Sequence, residues 1–94
     1  MELIDNTFLR QYELEVNNEL AKIEYSLQDR KIFLTKMIIP SSLNDNNFTE
    51  SFLVLVLDNI KEREISVVPT APTIAKFMRK NRKYKRLLPV GIRI

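Results

Sequence analysis

The segment Leu43-Asn44-Asp45-Asn46-Asn47-Phe48-Thr49 joins an apolar strand-like run to an apolar helix-like run. At such a junction the unpaired amides of the first helical turn, backed by the helix dipole, can hold a phosphate. A backbone that closely approaches a pyrophosphate favours glycine, yet the only glycine of the chain is Gly91, near the end. Asn44, Asp45, Asn46 and Asn47 would have to shape the loop, Asn being next best to Gly at positive φ.

Other chemistry is excluded by composition. The chain has no Cys and no His. Disulfides, thiolate metal sites, a Cys nucleophile and a His-based triad are therefore ruled out, and the usual zinc and copper ligand sets cannot be assembled. No side chain has an ordinary pKa near neutrality. The residues alone nominate no catalytic group and no metal site.

Ninety-four residues with 45% apolar and 29% charged side chains read as one small globular domain, 1–94, with a real core. The longest apolar run, Phe52 to Leu57, is far short of the roughly 20 residues a bilayer span requires. No basic segment followed by an apolar one opens the chain, so the expectation is a soluble cytoplasmic protein without membrane partners. Residues 1–50 carry 5 basic and 9 acidic side chains, net −4, and residues 51–94 carry 10 and 3, net +7. An acidic partner should meet the second half. Within it, Lys76 to Arg86 holds seven basic residues in eleven, for which an acidic protein or a nucleic acid is the candidate partner and a solvated helix face the plain alternative.

The elements that must position the loop follow from periodicity. From Phe8 to Val16 apolar residues alternate through Tyr12, Leu14 and Val16, Asn17-Asn18 suits a tight turn, and alternation resumes at Ala21, Ile23, Tyr25 and Leu27. After a break at Gln28-Asp29-Arg30, the dense run Ile32-Phe33-Leu34 through Met37-Ile38-Ile39 reads as a third strand covered on both faces. Three antiparallel strands in a meander are the simplest arrangement. Helical spacing of Phe48, Phe52, Leu55, Val56 and Ile60 predicts a helix over about 48–62, with Asn47 and Glu50 as a capping box. Ile65 to Val68 predicts a strand parallel to the third, and Pro72 opens a helix to Lys80 placed on the other face of the sheet. Tyr84, Leu87 and Leu88 should tuck back on the body, with Val90 to Ile94 a short edge strand or a frayed tail.

This order, β-β-β-loop-α-β-α, resembles the short single-domain members of the GNAT (Gcn5-related N-acetyltransferase) superfamily. Tyr12-Glu13-Leu14-Glu15-Val16 and Leu20-Ala21-Lys22-Ile23-Glu24-Tyr25 are similar to its first hairpin, and Ile39-Pro40-Ser41-Ser42-Leu43 to the strand end before its acyl-CoA loop. Val67-Val68-Pro69-Thr70-Ala71-Pro72 and Tyr84 are similar to its closing segment, so the likeness runs ungapped over about residues 8–88. It implies an α/β mixed-sheet fold and transfer of an acetyl group from acetyl-CoA to an amine. It also implies acetyl-CoA at Met37, Ile38 and Ile39 and at Asn44, Asp45, Asn46, Asn47, Phe48 and Thr49. The family's loop pattern, Arg/Gln-x-x-Gly-x-Gly/Ala, falls here on Asn44, Asn47 and Thr49. Many short members have Cys where Ala71 stands and His where Lys36 stands. Glu24 and Tyr25 are candidates to face the acceptor amine, and Tyr84 to protonate a departing thiol, against core anchoring of its ring.

Three departures oppose tight cofactor binding. Asn46 and Asn47 carry side chains where close approach wants none. A capping Asn47 would occupy an amide that phosphate needs. Asp45 about 6 Å from a phosphate would cost on the order of 2 to 3 kcal/mol at an effective dielectric of ~20, before screening. The expectation is a GNAT-like protein with weakened or lost activity, a monomer or a homodimer, the alternative being a noncatalytic binding module that uses segment 76–86.

Overall fold

The computed structural model describes residues 2–94. The first four strands are β1 (Ile4–Asn6), β2 (Gln11–Val16), β3 (Glu19–Gln28) and β4 (Lys31–Ile38), each antiparallel to the next. A 3-10 turn (Ser41–Leu43) leads into α1 (Asn46–Glu62), and β5 (Ser66–Pro69) then pairs parallel to β4. α2 (Pro72–Lys80) and the single turn α3 (Arg82–Lys85) complete the chain. The sheet order is β1-β2-β3-β4-β5, so the predicted meander is β2–β4, and β1 is an additional edge strand.

Two-residue turns set the meander's register. Asn17 and Asn18 have φ of 53° and 63°, and Asp29 and Arg30 have 50° and 63°. Positive φ at both central positions gives a turn whose twist matches the flanking strands. The pairs Val16↔Glu19 and Gln28↔Lys31 close these turns directly.

Strand pleating sends Tyr12, Leu14, Ala21, Ile23, Tyr25, Ile32, Leu34 and Val67 to one buried face. α1 covers it with Phe52, Leu53, Val56, Leu57 and Ile60, which recur at helical spacing and are all buried. Each such side chain contributes about 1.5 to 3 kcal/mol by leaving water.

α2 lies beside α1, not on the opposite face as the sequence suggested. The hydroxyl of Tyr84 in α3 donates to Asp58 Oδ1 on α1 at 3.0 Å, and a groove runs between Asn46, Thr49 and Leu53 of α1 and Thr73, Phe77 and Lys80 of α2. The reverse face, bearing Glu15, Glu24, Lys36, Phe33 and Val68, has none of its side chains in that core. β4 is accordingly covered on one face only: Lys31, Thr35 and Lys36 are exposed. Its dense apolar run has another cause. Lys36 pairs with Glu24 and Leu34 with Tyr25, leaving Thr35 as an extra residue, so the inward face shifts from Ile32 and Leu34 to Met37 and Ile39.

Residues 90–94 form no strand. The β5 edge is met instead by Leu87, whose carbonyl accepts from Val67 N at 2.7 Å, and a turn closes with Ile92 N on Pro89 O at 3.1 Å.

Candidate functional site

β4 and β5 part company at one point. Their pairing runs from Lys31↔Ser66 to Leu34↔Pro69 and stops. The Leu34 carbonyl ends the ladder by accepting from Thr70 N, Ala71 N and Thr70 Oγ1, each at 3.1 Å. One residue further along β4 is the Thr35 bulge, tied by Thr35 Oγ1 donating to Glu24 O at 3.2 Å. Beyond it, Lys36, Met37 and Ile38 still pair with β3, while no strand occupies their other side. Half of β4 thus presents a free backbone edge, and Met37, Ile38 and Ile39 along it are half-buried. An extended ligand bearing amides could add to such an edge as a strand would.

The α1 N-terminus begins a few residues beyond that edge. Pro40, unable to donate to a ladder, ends the strand, and the 3-10 turn redirects the chain. The helix starts at Asn46, two residues earlier than expected, and its cap is Asp45, not Asn47. Asp45 adopts extended dihedrals (φ −130°, ψ 162°) and its Oδ1 accepts from Phe48 N at 2.8 Å. The predicted capping box is therefore absent, because Asn47 already lies within the first turn. Among the described residues the Asn46 and Asn47 amides have no acceptor and remain as first-turn donors, beside an exposed carboxylate.

The loop residues do not converge on one pocket. Asp45, Asn46, Asn47 and Phe48 line a shallow open depression with Ser51, while Thr49, together with Asn46, also lines the α1–α2 groove of about 240 Å³, whose far wall carries Thr73, Lys76 and Lys80. Asn44 is exposed and lines neither. The open strand edge and two donating amides thus lie a few residues apart, while the anion-attracting end of the helix already faces the chain's own carboxylate.

Ala71 caps α2 and donates to Leu34, whereas Lys36 stands one residue past the bulge, exposed on the reverse face opposite Glu24. Glu24 and Tyr25 point to opposite faces, so they do not act as a pair. Tyr84 is buried and hydrogen-bonded to Asp58, its pKa pushed up to about 12 by burial and then by that carboxylate; its ring anchors α3 to α1. Among the described residues no group of carboxylates is placed to hold a metal ion.

A polar cluster at the far end of the sheet went unread in the sequence. Arg63, just past α1, donates to Asp5 Oδ2 at 3.2 Å and to the Tyr12 hydroxyl oxygen at 2.9 Å. Tyr12 donates to Asn59 Oδ1 at 2.8 Å, and Tyr25 to Asp5 Oδ1. Burial raises the pKa of both tyrosines; Asp5 adds to the rise at Tyr25, and Arg63 opposes it at Tyr12. The cluster ties β1, β2, β3 and α1 together. Asp5 and Arg63 are 58 residues apart, and no local pattern links them.

An antiparallel meander, a helix from a strand end, and a parallel strand that parts from its neighbour define the N-acyltransferase class of α/β fold. A family model described as GCN5-related N-acetyl-transferase matches residues 11–87, and the chain belongs to that family. No curated protein matches it. No described helix is long and apolar enough to cross a membrane.

Proposed function

We propose that the protein binds acyl-CoA weakly along the free edge of β4 and transfers the acyl group slowly to a primary amine. The open backbone edge beyond the Thr35 bulge carries this reading. Met37, Ile38 and Ile39 offer it half-buried apolar walls and unpaired backbone groups, and the amides of Asn46 and Asn47 are the available phosphate donors. When bound, acyl-CoA supplies an activated acyl group: the amine forms a C–N bond, the C–S bond breaks, and the amine's proton leaves with the thiol or solvent. The chain's own part is to hold the reactants in line, since proximity alone lowers such barriers by several kcal/mol. Asp45 weakens the phosphate end without obstructing the strand edge.

Calorimetric titration with acetyl-CoA at low and moderate salt tests this. The expected result is one site with a dissociation constant between about 10 μM and 1 mM, roughly −7 to −4 kcal/mol. No heat up to millimolar ligand overturns it.

A further inference from the structure

The seven cations from Lys76 to Arg86 are all exposed, and no acidic residue interrupts them. The rest of the chain has 8 basic and 12 acidic side chains, net −4, so the protein's positive charge is concentrated on α2 and α3. None of the seven is ion-paired: the one salt bridge among the described residues joins Arg63 to Asp5. Even Glu50, which shares the α1–α2 groove with Lys76 and Lys80, forms no bridge to either.

The apolar residues within the segment all point inward. Ile74, Phe77 and Met78 of α2 and Tyr84 of α3 are buried, leaving Lys76, Arg79 and Lys80 on one solvent-facing stripe of α2 and four more cations around α3. Protein interfaces draw their affinity from buried aromatic and apolar anchors and are depleted in lysine at their centres. This ridge has charge and no anchor. A phosphate backbone asks for no more than that, because neutralising phosphates releases counterions whatever the base sequence.

We propose that the α2–α3 ridge is a sequence-independent nucleic-acid-binding surface whose lysines and arginines contact backbone phosphates. This goes beyond the acyl-CoA reading and does not depend on it. With no exposed aromatic ring in the ridge, bases are not stacked, and duplex and single strand are both accepted. The negative remainder of the molecule orients the ridge toward the polyanion during encounter.

Fluorescence anisotropy with a labelled 20-nucleotide strand and a 20-base-pair duplex tests the assignment. Binding should weaken roughly 10²- to 10³-fold between 50 and 200 mM salt, as expected for about five neutralised phosphates. Arg79→Glu/Arg82→Glu/Lys83→Glu should lose at least about 30-fold, whereas Lys22→Glu/Lys31→Glu/Lys61→Glu, with the same change in net charge, should stay within about threefold of the parent. Circular dichroism establishes that both variants are folded. No binding at 50 mM salt, or equal losses in the two variants, overturns the proposal. Because Val90 and Ile92 are exposed just after the ridge, anionic vesicles and polyglutamate serve as competitors. Displacement by either as effective as by unlabelled oligonucleotide would reassign the ridge to a lipid or an acidic protein.

Discussion

Asp45 Oδ1 accepts a 2.8 Å hydrogen bond from the amide of Phe48, so a carboxylate of the chain itself sits at the positive end of α1. Asp45→Asn keeps a competent cap and removes the charge. Acetyl-CoA affinity should rise about tenfold at low salt and less at high salt, as measured by calorimetry. Asp45→Ala should instead lower stability by about 1 kcal/mol, read by denaturant unfolding. Unchanged affinity in Asp45→Asn would mean that phosphate does not approach the cap.

Tyr12 both donates to Asn59 and accepts from Arg63. Tyr12→Phe strands two polar partners near the core and should cost about 1 to 3 kcal/mol in chemical denaturation. The Asp5–Arg63 contact is partly solvated, so a double-mutant cycle on that pair should return less than about 1 kcal/mol of coupling.

All three tyrosines have raised pKa values, Tyr84 to about 12. The folded form therefore keeps protons that the unfolded chain releases near pH 10. Stability tied to these protons is intact below pH 10 and falls as pH rises toward 12. Tyrosinate absorbance should appear together with loss of near-ultraviolet dichroism, not as a separate step at pH 10. A free titration at the ordinary tyrosine pKa in the folded protein would contradict this.

Glu64 follows the end of α1 with φ of 57°, a conformation that glycine adopts without strain. Glu64→Gly should stabilise the protein by about 0.5 to 1 kcal/mol, visible as a higher midpoint of thermal unfolding.

What the sequence revealed depended on range. Alternation through Tyr12, Leu14, Ala21, Ile23 and Tyr25 disclosed the meander, and Asn17-Asn18 disclosed its turn, because these are near-neighbour patterns. β1 escaped since three residues are too few to alternate. The Ile32–Ile39 run contains a bulge that changes the phase of alternation, which in one dimension looks like apolar residues on both faces. Asp, Asn and Asn in succession are all good caps, and only geometry selects Asp45. The free edge of β4 and the Asp5–Arg63 pair depend on contacts far apart in sequence, which no local signal encodes. The placement of α2 beside α1 also hangs on such a contact, Tyr84 with Asp58.

The backbone bond from Val67 N to Leu87 O covers the outer side of β5 with a single strap of chain. At the opposite border of the sheet, β1 is only three residues long. A sheet with a long bare border is a template for aggregation, and short or covered borders are how proteins avoid it. Cleavage between Tyr84 and Leu87 would uncover the strand Ser66–Pro69 and leave that border free to pair with another chain.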